Sequence, residues 1–175
     1  MVRLADVVGL SFVERPRDVA DIEAELGRLG AASLGLVLKI GTQRGFMGLP
    51  RLLLEAIGTR PLGVMIARGH MAIESGFERL AEIQEEMLWL CEAAHVPVIW
   101  ATEVLDRLSR KGLATRAEVT DAAMAERAEC VLLNEGAHVL EALTLLDGIL
   151  RRMESHQRKR SPTLRRLSVS AALSG

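Results

Sequence analysis

Five short apolar runs in this 175-residue chain each end in residues able to bind or react: Ser11-Phe12-Val13, Lys39-Ile40-Gly41, Arg68-Gly69-His70, Ala101-Thr102-Glu103 and Asn134-Glu135-Gly136. Lys39 is the most unusual of them, because an ammonium at the end of an apolar strand needs an anionic partner or a path to solvent. A lysine at that place suits a phosphate or a carboxylate. Arg68-Gly69-His70 stands where an apolar run turns into a helix, and amides at a helix start attract anions. Thr102 adds a hydroxyl at the fourth strand end. As an imidazole, His70 could hold zinc or nickel, with Glu103 or Glu135 as the only further strand-end acids. Local hydrogen bonding at the helix start is the simpler expectation for it.

The elements that must position these residues alternate. Strands are predicted at about 6–12, 34–40, 62–67, 96–101 and 129–134, each a short continuous apolar run suited to burial on both faces. Helical stripes lie between them: Val19, Ile22, Leu26 and Leu29; then Phe77, Leu80, Gln84, Met87, Cys91 and Ala94; then Val139, Leu143, Leu146, Leu150 and Met153. Ser75 with Glu78 and Thr115 with Glu118 are candidate capping boxes, and Pro16 suits a first helical turn that ends near Gly27 and Gly30. Five β/α units in a row predict an α/β fold with a parallel sheet and right-handed crossovers. No G-x-G-x-x-G or Walker-type loop is present. The regular spacing fits part of a (β/α)8 barrel, about five consecutive units, whose first and last strands would have open edges.

Composition agrees with a globular domain, with 49% hydrophobic and 26% charged residues. No apolar run is long enough to span a bilayer, and the N-terminus does not read as a signal peptide. Cys91 and Cys130 lie in apolar segments without metal-ligand spacing, so buried free thiols in a reducing cytoplasm are expected. The net charge of −1 hides an asymmetry: residues 151–175 hold seven Lys/Arg and one acid. This basic end lacks aromatic residues for stacking on bases, so nucleic acid is not its expected partner. A globular part over 1–154 and an irregular tail over 155–175 are predicted.

Five segments, in order, resemble the second half of the catalytic barrel of the pyruvate kinase family. GLSFVERPRDVADIEAEL is similar to that family's Ser-Phe-Val strand end and following helix, and LVLKIGTQRG to its Lys-Ile-Glu strand. VMIARGHMAIE resembles the Ala-Arg-Gly-Asp segment, VPVIWATEVLDRL the Ala-Thr-Gln-Met-Leu motif, and ATRAEVTDAAMA the Thr-Arg-Ala-Glu-Val-Ser-Asp motif. The likeness runs from about residue 6 to 153.

The resemblance implies phosphoryl transfer between phosphoenolpyruvate and ADP in glycolysis, with magnesium and potassium as cofactors and a cytoplasmic location. It implies a catalytic role for Lys39 and Thr102, and substrate binding by Arg68, Gly69, His70 and Thr102. It also exposes two departures. The family's metal is held by the glutamate of Lys-Ile-Glu and the aspartate of Arg-Gly-Asp, and this chain has Gly41 and His70 there. Magnesium prefers hard oxygen ligands, so its site is expected to be lost. The family's first three strands, lid and regulatory domain, with much of the nucleotide and monovalent-cation contacts, have no counterpart, so a gene fragment, a split subunit or an internal start are all compatible.

Three functions are therefore in view: a pyruvate kinase-like protein with little activity alone, a non-catalytic relative that binds an anionic metabolite or partner protein, and a lyase or aldolase using Lys39 as a Schiff-base amine. A homo-oligomer or a complementing chain would cover the open strand edges.

Overall fold

A computed structural model describes residues 5–157. They form two compact units divided between Val98 and Ile99. Five strands alternate with helices along the chain, each parallel to its paired neighbour.

In the first unit the order is β1 (Val7–Ser11), α1 (Pro16–Arg28), β2 (Gly35–Ile40), α2 (Gln43–Ala56), β3 (Leu62–Ala67), α3 (Arg68–Ser75) and α4 (Phe77–Ala93). β2 lies between β1 and β3, with Ser11, Lys39 and Met65 in one lateral row. Leu36, Leu38 and Ile40 of β2 are fully buried. The period of two therefore puts Val37 and Lys39 on the other face, where both are half-buried. Phe46, Leu49 and Leu52 of α2 and Ile83, Met87 and Cys91 of α4 are also buried. Pro16 opens α1, and the Asp18 carboxylate accepts the Glu14 and Arg15 amides at 2.9 Å. Those bonds hold the Asp18 carboxyl below its ordinary value.

The second unit contains β4 (Val98–Val104) from Ile99 on, α5 (Asp106–Lys111), α6 (Arg116–Met124), a 3-10 turn (Ala125–Arg127), β5 (Cys130–Leu133) and α7 (Val139–Gln157). Trp100, Val104, Leu105, Ala122, Ala125 and Ala142 are its most buried apolar side chains. The capping box at Thr115 and Glu118 is formed as expected, with Glu118 N–H on Thr115 Oγ1 and Thr115 N–H on the Glu118 carboxylate.

Several local expectations need correction. β1 and β5 are not buried on both faces: their residues alternate between exposed and half-buried, because each lies at the edge of its unit's strand pairing. Cys91 is buried, but Cys130 on β5 is exposed for the same reason. Ser75 does not cap a helix. It ends α3, its hydroxyl donates to Met71 Sδ at 3.6 Å, and Gly76 at φ 85° is the residue preceding α4. Leu29, Phe77 and Leu143 are exposed members of stripes whose other residues are buried or half-buried. α2, with Pro50 inside it, is a helix that the predicted stripes omit. α7 continues to Gln157, into the tail expected over 155–175, and residues 158–175 of that tail lie outside the described residues.

Candidate functional site

The ends of β1, β2 and β3 build the site in the first unit. Lys39 is the penultimate residue of β2, as the sequence places it, beside Ser11 and Met65. Ile40 then turns its side chain into the core, and the chain passes through Gly41 to Thr42. Thr42 starts α2 with its Oγ1 accepting the Gly45 N–H at 3.0 Å. The next free amide of that helix, Gln43 N–H, donates to Glu74 Oε2 of α3 at 2.8 Å. A carboxylate at a helix start meets both unpaired N–H groups and the positive end of the dipole. Glu74 thereby ties α3 to α2.

Two glycines of α2 bring the β1–α1 loop close. A Cβ on Gly45 would stand 2.6 Å from the Val13 carbonyl oxygen, and one on Gly48 would stand 2.8 Å from that of Glu14. Only glycine permits this approach, which fixes the loop that begins with Phe12. Phe12 itself adopts φ 57°, a left-handed conformation, and remains 54% exposed.

His70 occupies the first turn of α3, after Arg68 and Gly69, with Arg68 buried and His70 exposed. Its ring meets Phe12 edge to face, centroids 5.4 Å apart and planes at 85°. This aromatic contact, rather than the expected local hydrogen bond, is the interaction that orients it. Gly41 adjoins the same residue. A Cβ there would lie 3.5 Å from His70 Cβ and 3.1 Å from Ala67 Cβ.

The two positions that the resemblance assigns to metal-holding carboxylates are thus neighbours in space. Between them they supply one imidazole and no oxygen. That donor set does not fit magnesium, which takes hard oxygen ligands in near-octahedral geometry. Among the described residues, no three His, Cys, Asp or Glu side chains are grouped as metal ligands.

Thr102 belongs to the second unit. It is half-buried on β4, where the Ala101–Thr102 peptide is cis and the pairing with β5 shifts register between Trp100 and Val104. The strand runs on to Val104, beyond the predicted end at 101. Bulged strands re-aim side chains at functional edges. Past it, Leu105 takes φ 49° and Asp106 opens α5. The Asp106 carboxylate accepts Asn134 Nδ2 at 2.7 Å and Arg110 Nε at 2.9 Å. The Asn134 bond, then the Arg110 bond and charge, hold its carboxyl below the ordinary aspartate value. Asn134 is therefore a connector between the end of β5 and α5.

Lys39 at the end of β2 and Arg68, Gly69 and His70 at the start of α3 lie at adjoining strand ends of the first unit, while Thr102 is placed by the second. Residue types alone did not reveal Phe12 as the partner of His70, nor Glu74 as the acceptor at α2. Their only signal was position: Phe12 directly follows a strand, and Glu74 lies in the last turn of the helix whose first turn holds His70.

Residues 2–139 match the family model described as pyruvate kinase, barrel domain. The chain is 32% identical over 174 residues to a pyruvate kinase of Bacillus licheniformis, covering 94% of this chain and 29% of that protein. It is 32% identical over 156 residues to a pyruvate kinase of Clostridium acetobutylicum, covering 86% of this chain and 32% of that protein. A pyruvate kinase of Thermotoga maritima is 34% identical over 151 residues, with 83% and 31% covered. The chain thus matches less than a third of the length of these relatives. Five parallel strands alternating with helices, and a barrel-domain model matched over residues 2–139, place the chain in the pyruvate kinase family as a partial (β/α)8 barrel.

Proposed function

We propose that this chain keeps the substrate-anion side of a pyruvate kinase site and lacks its divalent-metal side. The ligand class is a small phosphate-bearing carboxylate of the phosphoenolpyruvate or pyruvate type. Lys39 supplies positive charge for the phosphoryl group. The first-turn amides of α3 at Gly69 and His70, with Arg68, hold the carboxylate. Thr102 contributes its hydroxyl by family resemblance. The carrying observation is the adjacency of Gly41 and His70, with Cβ positions 3.5 Å apart, where the family has two carboxylates.

The reaction of the family is phosphoryl transfer between phosphoenolpyruvate and ADP. Its transition state is stabilised by positioning and by metal charge. Loss of metal stabilisation of several kcal/mol slows such a step by several powers of ten, at tenfold per about 1.4 kcal/mol. Phosphoryl transfer by this chain alone is therefore expected to be very slow. A cytoplasmic setting suits these substrates; among the described residues, no helix is long and apolar enough to cross a membrane.

The test is to titrate the purified chain with phosphoenolpyruvate by calorimetry in EDTA, then to assay pyruvate formation with ADP, magnesium or manganese, and potassium. Binding that is lost in Lys39→Met, with negligible turnover, supports the proposal. Turnover near one per second or above, or no binding at all, overturns it.

A further inference from the structure

The exposed carboxylate of Glu74 closes on a backbone amide of a different helix, accepting Gln43 N–H of α2 at 2.8 Å. Glu74 follows His70 by four residues, so the two share one face of the eight-residue α3. The passage from β2 into α2 meets that face twice. At Gly41 a Cβ would come within 3.5 Å of the His70 Cβ, and two residues later Gln43 bonds to Glu74. Lys39 lies two residues before Gly41 on the same segment.

A helix of two turns is marginal by itself and takes its place from what it packs against. The start of α3 is fixed by β3, whose last residue, Ala67, directly precedes Arg68. Its far end is followed by Gly76 and is anchored to α2 by Glu74. The bonded amide is one of the unpaired N–H groups at the positive end of the α2 dipole, so the bond is charge-assisted.

We propose that Glu74 is a positioning residue that seats the first turn of α3 against Lys39, a role that rests on the anion binding proposed for Gly69 and His70. Charge and position act here in opposite directions, which makes the role readable. Residues four apart on a helix stand roughly 6 Å from each other at Cβ, so the Glu74 charge by itself repels an anion bound at the His70 turn. As an anchor it strengthens the same binding, because apparent affinity falls with the population of the competent state. Removing the charge while keeping the acceptor therefore separates the two effects.

The experiment titrates phosphoenolpyruvate into the full chain by calorimetry in EDTA, for the wild type, Glu74→Gln and Glu74→Ala, with amide exchange followed by NMR. The glutamine variant keeps an oxygen for Gln43 N–H and loses the charge, so it should bind as tightly as the wild type or tighter. The alanine variant loses both and should bind about threefold or more weakly. Its Ala72 and Ile73 amides, whose helical acceptors are the Arg68 and Gly69 carbonyls, should exchange faster. The β2 amides should not change, a pattern that general loss of stability does not produce. Alanine binding equal to or tighter than the wild type overturns the proposal, as does equal weakening in both variants. A wild type that binds no phosphoenolpyruvate overturns the anion reading instead, and exchange alone then decides for Glu74. Faster α3 exchange confined to the alanine variant sustains the anchoring role; unchanged exchange refutes it.

Discussion

Gly41 and His70 are neighbours: a side chain grown from Gly41 would start 3.5 Å from His70 Cβ, with Ala67 Cβ 3.1 Å away on the other side. The space beside His70 is therefore narrow, and the oxygen nearest a Gly41 Cβ is the Ala67 backbone carbonyl at 3.7 Å rather than a carboxylate. A glutamate could enter only if Ala67 gave way by a few tenths of an ångström. The His70 ring stands edge to face against Phe12, and both side chains are exposed.

This adjacency predicts how metal binding can be restored. Gly41→Glu alone leaves the imidazole in place, and His70→Asp alone leaves one carboxylate. Only the double substitution supplies two hard oxygen ligands to one ion. Manganese titration followed by electron paramagnetic resonance should show one site in the double variant and none at these positions in either single variant. Crowding by Ala67 should lower stability by about 1 kcal/mol in variants carrying Gly41→Glu.

The Phe12–His70 contact predicts a spectroscopic effect larger than its energetic one. Phe12→Leu removes the ring that meets His70 edge to face. An aromatic pair contributes about 0.5–1.5 kcal/mol, and here Phe12 is half exposed, so the loss should fall at the low end. The His70 ring proton shifts should nevertheless move clearly in NMR spectra. Unchanged shifts would mean that the two rings do not meet in solution.

Much of this was legible in the sequence, for reasons that differ by element. β2 and β3 match their predicted spans within a residue, because a buried parallel strand is a continuous apolar run with sharp ends. Burial of β1 and β5 was misread, since an edge strand can carry the same apolar residues as a central one. Lys39 stood out because its charge contradicts its surroundings. Phe12 did not, since its role rests on a contact with His70, 58 positions away. Likewise, Ser75 with Glu78 has the spacing of a capping box, yet the tight passage from α3 to α4 goes to Gly76, whose φ of 85° suits glycine.

Gly136 predicts a severe steric effect in the second unit. A Cβ there would stand 2.1 Å from the Ser109 carbonyl oxygen, and that same oxygen accepts the His138 N–H at 2.8 Å. Backbone cannot yield as a flexible side chain can. Gly136→Ala should destabilise by about 3 kcal/mol, measured by urea unfolding. Gly148→Ala, which meets nothing within 4 Å, should instead stabilise an isolated chain by up to about 1 kcal/mol.

The pair Glu23–Arg60 predicts acid sensitivity of the first unit. The Arg60 side chain is 4% exposed; its guanidinium binds both Glu23 carboxylate oxygens and donates to the Ala31 and Leu34 carbonyls at 3.2 and 3.0 Å. The Arg60 hydrogen bonds are the main cause holding the Glu23 carboxyl below its ordinary 4.5, with Thr59 adding a further bond. A carboxyl lowered on folding adds stability that is fully present above its unfolded value and disappears as pH falls through the folded one. Wild-type stability should therefore decline below about pH 5, and Glu23→Gln should flatten part of that decline while lowering stability at pH 7. Arg60→Ala leaves Glu23, itself 21% exposed, without its main partner, and takes one donor each from the Leu34 carbonyl and from the Ala31 carbonyl, which keeps the Leu34 N–H. It should cost about 2–3 kcal/mol at pH 7 and less at pH 3, where a protonated Glu23 no longer needs the guanidinium. Equal losses at both pH values, read from thermal unfolding, would show that the pair acts through packing and not through charge.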